Sequence, residues 1–265
     1  MPDIALLGIC FDANSSFLKG PAGAPPIIRK MDTDGSANRF SETGIEIKEG
    51  ATYHDAGDVV FQSVGAQQVF ETIYHAVKTQ LAQYPKLLCL GGDHSITYPV
   101  IKAYAEKYPA LNILQIDAHG DLYEDFDGNP YSHASPFARI MENGLAKSVC
   151  QAGLRSLTPH QRQQAAKWDI RQIEMKDWPV DFINTLEGPL YISLDMDALD
   201  PAFAPGVSHH EPGGLSVRDI LNLIRALDKK IIGADIVEYN PLRDHHNMTA
   251  MVAYKFMKEL MAKMI

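Results

Sequence analysis

The sequence predicts an α/β protein of three layers, with helices on both faces of a mainly parallel central sheet. Short apolar runs alternate with helix-length segments through most of the 265 residues. The runs are apolar at almost every position rather than at every second one, as expected of strands covered on both faces. Polar, acid-rich motifs follow them directly, and open α/β sheets keep their ligands at the carboxyl ends of the strands.

The elements follow in order. Residues 4–10 read as a first strand, leading into a Gly/Pro-rich loop over 15–26 and a short helix at 27–31. The stretch 36–57 is polar and irregular, with weak strand character at best. Helical spacing of Val69, Ile73, Val77 and Leu81 predicts a helix over 67–83, and 87–90 is the next strand. A helix over 97–107, a strand to Asp117, a helix over 136–141 and a strand over 148–153 come next, then a helix over 159–168 and a strand over 170–173. A helix at 180–186 precedes a strand ending at Asp195. Ser216 is the N-cap type of residue for a helix to 227, followed by a strand over 231–237 and a closing helix over 249–264. Such alternation implies right-handed crossovers. No Pro- or Ser-rich linker, charge block or repeat divides the chain, so one domain over 1–265 is expected.

Composition excludes several classes. A net charge of −9 argues against nucleic acid or an anionic membrane as partner, and suits a cationic substrate weakly. Cys10, Cys89 and Cys150 lie in apolar runs and read as reduced core residues of a cytoplasmic protein rather than a disulfide framework. No basic region precedes a long apolar stretch at the N-terminus and no apolar run approaches 18 residues, so neither secretion nor membrane spanning is expected.

Three strand-like runs empty into acidic or histidine-bearing motifs. They are Gly91-Gly92-Asp93-His94-Ser95, Asp117-Ala118-His119-Gly120-Asp121 and Asp195-Met196-Asp197. Three neighbouring strands would bring His94, Asp117, His119, Asp121, Asp195 and Asp197 to one sheet edge. Four carboxylates and two imidazoles without a Lys or Arg among them need a cation, and the set is large enough for two divalent ions. Mixed oxygen and nitrogen ligation favours Mn²⁺, with Zn²⁺, Ni²⁺ or Fe²⁺ as alternatives. Any one of these Asp residues alone reads equally well as a helix cap or turn residue. His133 is a general acid/base or a surface loop residue, and Glu238 binds a cation or caps a turn. His209, His210 and Glu211 precede Pro212-Gly213-Gly214 and read as a rigid pocket-lining loop, and His245-His246 as solvated.

Taken in order, these motifs, with Ser193-Leu194-Asp195-Met196-Asp197-Ala198-Leu199-Asp200-Pro201 and Glu238-Tyr239-Asn240-Pro241, resemble the ureohydrolases, the family of arginase and agmatinase. The resemblance runs from Gly8 through the last helix. Residues 14–21, 131–135 and 205–214 are most similar to plant-type arginases, which group with agmatinases. The resemblance implies an arginase-like fold and two Mn²⁺ per chain. His94, Asp117, Asp121 and Asp195 would hold one ion, and Asp117, His119, Asp195 and Asp197 the other, with Asp117 and Asp195 bridging. It implies that Asp121 aims the nucleophile, that His133 shuttles protons and that Glu238 receives a guanidinium. A trimer or hexamer is the family habit. Gly120 stands where Pro or Thr is more usual, and His209-His210 where many agmatinases have Thr-Pro, which puts the pocket's shape in question. The expected reaction is hydrolysis of a small guanidino compound to urea and an amine, with Asn129, Ser156 and His209 around the substrate's far end. Animal arginases follow Gly-Leu-Arg with an Asp-rich segment, whereas here Gly153-Leu154-Arg155 runs into Ser156-Leu157-Thr158. That absence tilts the expectation to agmatine, with arginine as the alternative. A one-zinc deacetylase on a similar fold would need fewer carboxylates, and an inactive binding subunit would not need all six ligands.

Overall fold

The computed structural model describes residues 2–61, 66–178 and 181–265. It contains eight strands and seven α-helices: β1 Ile4–Gly8, α1 Ala24–Thr33, β2 Tyr53–Asp58, α2 Ala66–Gln83, β3 Lys86–Leu90, α3 Thr97–Lys107, β4 Asn112–Ile116, α4 Pro136–Glu142, β5 Ser148–Leu154, α5 Pro159–Lys167, β6 Arg171–Glu174, β7 Leu190–Asp195, α6 Val217–Ala226, β8 Ile231–Val237 and α7 Met248–Met264. All eight strands form one parallel sheet in the order β2-β1-β3-β8-β7-β4-β5-β6.

Both faces of the sheet are covered, which is why the strands read as unbroken apolar runs. Ile4, Leu6, Leu88, Leu90, Leu114 and Ile116 pack on one face with residues of α1, α6 and α7. Their strand neighbours Ala5, Leu7, Leu87, Cys89 and Ile113 point the other way, onto α2, α3 and α4. Ser216 caps α6 as expected, and Asp219 bonds back to its backbone N–H to complete a capping box.

Three expectations change. The strands carrying the three motifs are not consecutive, because β8 lies between β3 and β7. That insertion carries Glu238 into the middle of the motif cluster. Within the stretch expected to be irregular, Tyr53–Asp58 adds to β1 as an edge strand. It lacks an apolar pattern because its faces are largely uncovered, only Tyr53 being buried, and Arg29 of α1 grips it through Asp55 and Asp58. The helix expected at 180–186 is a single short 3₁₀ turn, Asp181–Thr185, and Val180 lies outside the described residues.

Candidate active site

The motifs converge at the carboxyl ends of β3, β4, β7 and β8, and several carboxylates divide their oxygens between two tasks. Asp117 Oδ1 accepts the His119 backbone N–H at 2.7 Å, and Asp195 Oδ1 accepts that of Asp197 at 2.7 Å. Asp197 Oδ1 accepts the Ala118 N–H at 3.3 Å, tying the β7 loop to the β4 loop. These bonds fold the loops and leave the Oδ2 atoms to face inward. Asp117, Asp121 and Asp195 bring Oδ2 within 3.2, 3.0 and 3.2 Å of His94 Nδ1. Asp197 brings its Oδ2 within 3.1 Å of His119 Nδ1, and Asp117 Oδ1 lies 3.6 Å from that nitrogen.

Two groups of donor atoms are close enough to hold an ion: His94, Asp117 and Asp195, and Asp117, His119 and Asp197. Asp117 belongs to both, whereas Asp195 belongs to the first alone, and Asp121 stands beside the first through its contact with His94. The fit of a divalent cation is decided by His94. Its Nε2 lies 2.9 Å from Ser193 Oγ, which itself donates to Asp235 Oδ1 at 2.7 Å. A hydroxyl has one proton, so Ser193 accepts from His94, and Nε2 carries the hydrogen. The Nδ1 lone pair is then left fully buried, without a hydrogen-bond partner, among three carboxylate oxygens. Only a proton or a metal ion relieves that arrangement.

The titration of the cluster tells the same story. Burial and the neighbouring charges of Asp197 and Asp117 push Asp195 well above the carboxylate range. Burial and Asp117 hold Asp121 up at about 6. Burial would also raise Asp117, but His119 and His94 pull it down. Burial would depress His94, yet Asp117, Asp121 and Asp195 raise it well above the ordinary imidazole value. A site that retains protons on buried acids is one from which a divalent cation displaces them.

Glu238 follows β8 with φ of 63°, in the left-handed region that non-glycine residues seldom occupy, and Asp121 has φ of 48°. Glu238 Oε1 accepts the His94 backbone N–H at 2.8 Å and lies 2.7 Å from His133 Nδ1. Its Oε2 is buried and has no partner. Burial would raise this carboxyl, but the charge of His133 keeps it below the ordinary value and ionised. Burial would lower His133, and the Glu238 charge raises it to about 9.

A cavity of about 250 Å³ opens over these groups. His119, Asp121, His133, Asp195, Asp197 and Glu238 line it, as do Ser156 and His209. Neither Lys nor Arg is among its described lining residues. His209 is half-buried, with its ring centroid 5.6 Å from Phe17, 5.8 Å from His119 and 5.5 Å from His133. His210 turns outward to the Pro205 carbonyl at 2.8 Å, and His245 and His246 are exposed. Asn129 is not in the described lining. Its Oδ1 accepts the Tyr131 N–H at 3.0 Å and its Nδ2 donates to Asn14 Oδ1 at 3.4 Å, so its side chain shapes the loop.

Several contributors were not singled out from the sequence. Asp93, fully buried inside the Gly91-Gly92-Asp93-His94 motif, binds the β1 loop through Asn14 and Ser15. Thr158, Gln161 and Tyr123 also line the cavity. Arg155 donates to the carbonyls of Asp197 at 2.7 Å, Leu199 and Ala198 at 3.1 Å, Glu211 at 2.8 Å and Gly153 at 3.1 Å. One guanidinium therefore fastens the loop after β7 to the loop of Glu211, and the Gly-Leu-Arg string was its only trace in the sequence. Gly120 leaves room for the α5 side chains, since a Cβ there would stand 2.8 Å from Gln161 Oε1.

The sequence profile described as the arginase family matches residues 2–263. The chain belongs to the arginase family. Arginase 1, mitochondrial, of Arabidopsis thaliana is 48% identical over 274 residues, covering 98% of this chain and 80% of that protein. The agmatinase of Bacillus anthracis is 31% identical over 265 residues, covering 98% of this chain and 91% of its own. In three dimensions, this arginase-family chain superposes on the arginase of Medicago truncatula with a TM-score of 0.92 at 43% identity, covering 99% of this chain and 87% of that one. The α/β architecture expected from the sequence is thus that of the family.

Proposed function

We propose that this protein is a two-metal ureohydrolase that cleaves the guanidinium group of arginine to give urea and ornithine. The observation that carries the reading is Glu238 Oε2, a buried, ionised carboxylate oxygen without a partner, in a cavity whose floor is a two-part His/Asp cluster. A planar cation with paired N–H donors is the ligand that such an oxygen lacks. His94, Asp117, Asp121 and Asp195 would hold one Mn²⁺, and Asp117, His119 and Asp197 the other. Two divalent ions at that position would make water a nucleophile at neutral pH.

The chain's own groups do the rest. Glu238 holds the guanidinium, with its charge little diluted because the carboxylate is buried. Asp121, beside the metal cluster and lining the cavity, accepts a hydrogen bond from the attacking water and aims it. His133 shares Glu238 Oε1 through Nδ1, so seating the guanidinium on Glu238 frees that nitrogen to give its proton to the departing amine.

The lack of an Asp after Gly153-Leu154-Arg155 favoured agmatine, but similarity to arginases at 46–48% against 30–31% for agmatinases supports arginine better. The cavity wall also offers an account of the missing Asp, because Ser156, Thr158 and Gln161 present neutral polar groups there. Urea release from arginine, agmatine, 4-guanidinobutyrate and formiminoglutamate under saturating Mn²⁺ is the test. Arginine should have the highest kcat/KM, and a tenfold or greater preference for agmatine would reverse the assignment.

A further inference from the structure

His133 has two faces, and the proposed reaction uses one of them. Its Nδ1 meets Glu238, while its Nε2 lies 2.8 Å from the hydroxyl of Ser16. The imidazole is buried, whereas Ser16 is exposed and lines the cavity mouth. Ser16 is therefore the hydroxyl that stands between the outer ring nitrogen and water.

The loop that brings it there is held firmly. Phe11 passes so close to the β3 end that a Cβ on Gly92 would fall 1.7 Å from its carbonyl oxygen, and the Asp93 N–H donates to that oxygen at 2.9 Å. Asp93 Oδ2 accepts the Asn14 backbone N–H at 3.0 Å and the Ser15 hydroxyl at 3.3 Å. Asn14 Nδ2 donates to Ser95 Oγ at 3.2 Å, and the Asn14 carbonyl accepts the His133 backbone N–H at 3.2 Å. On the far side of Ser16, Phe17 packs on His209. The motif that supplies His94 thus also anchors the loop that sets a hydroxyl against His133.

Building on the ureohydrolase reading above, we infer that Ser16 is the relay through which His133 exchanges its proton with solvent. As Nδ1–H passes to the amine, the Ser16 Oγ–H proton passes to Nε2 and water gives a proton to Oγ. The imidazole and the hydroxyl end with as many hydrogens as they began with, the amine with one more and the solvent with one fewer. The same bonds run in reverse carry a proton outward, and no bond between heavy atoms of the relay changes.

Thr and Val have nearly the same shape and differ by a hydroxyl, so Ser16→Thr and Ser16→Val in the Mn²⁺-loaded full chain isolate the relay. In dilute buffer, Ser16→Val should lower kcat by about tenfold relative to Ser16→Thr, less than the 10²–10⁴ that a positioned acid/base group supplies. KM and metal content should be unchanged, and added imidazole buffer should restore kcat for Val while leaving Thr unmoved. Equal kcat and equal buffer response in the two variants would overturn the relay while leaving the hydrolase reading intact. Loss of bound metal in Ser16→Val would overturn it too, by making Ser16 a structural support. A wild-type protein that releases no urea from any guanidino compound would bring down the reading and the relay together.

Discussion

The two halves of the metal cluster are built differently. The inner imidazole, His94, is fully buried, and its far nitrogen rests on Ser193, which Asp235 holds in place. Asp235 is itself fixed by Thr97 at 2.9 Å and Tyr191 at 3.0 Å, all within the sheet and the start of α3. The outer imidazole, His119, has a side chain 21% exposed, and its far nitrogen lies 3.6 Å from Glu211, a rim carboxylate beyond hydrogen-bonding reach. Regular strands support the first half and loops support the second. An ion in the inner half should be held tightly and exchange slowly, and one in the outer half should be the first to leave.

The strongest way to break this contrast is to remove what both halves share. Asp117→Ala should strip both ions and take urea release to background, as elemental analysis after gel filtration will show; retention of one full ion would mean that the halves do not share Asp117. Next in size, Asp197→Ala should leave about one ion per chain and Asp121→Ala should weaken the inner half, with activity falling steeply in both. If Asp197→Ala emptied the inner half as readily as the outer, the two would be a single cooperative unit. Outer supports commonly change metal affinity by about 10–100-fold. Ser193→Ala should therefore reach that range for the tighter ion, and Glu211→Gln should fall below it for the weaker one, as read by competition with a chelator.

The smallest expected effect separates the cluster from its neighbour His133. Its folded value of about 9 lies above the ordinary imidazole range, so the pair with Glu238 stabilises fully below about pH 6.5 and the benefit fades as pH rises through 9. Metal-free wild type should lose more Tm between pH 6.5 and 10 than His133→Asn does, and parallel curves would show that the pair contributes nothing.

Legibility followed the range of the interactions. The central strands and their acidic ends were plain in the sequence because burial on both faces writes a local apolar run, and a strand that stops at a ligand stops at an acid. The position of β8 between β3 and β7 was not, since strand order is set by crossovers that leave no local mark. For the same reason Glu238 could be read as a cap or a cation binder until His94 and His133 were found against it. The Ser16 loop has no period to read, and its anchor Asp93 sits in a motif where the histidine is the evident ligand type. Asn129, read from the sequence as a substrate contact, has its side chain on Tyr131 and Asn14, two loop bonds that leave no local pattern. Among the described residues no helix is long and apolar enough to cross a membrane. The cytoplasmic location read from the cysteines stands beside a 48% identical plant relative named as mitochondrial.

The left-handed backbone at Glu238 has a consequence for anyone who tries to improve this protein. A non-glycine residue held there sacrifices on the order of 1–3 kcal/mol, and its buried oxygen without a partner adds to the deficit. Glu238→Gly would relieve both at once, but it would leave the His94 N–H and the buried His133 without their acceptor. Laboratory evolution that rewards heat resistance alone gains from that substitution only where the relief outweighs those losses, and it would give up the carboxylate proposed to hold the guanidinium.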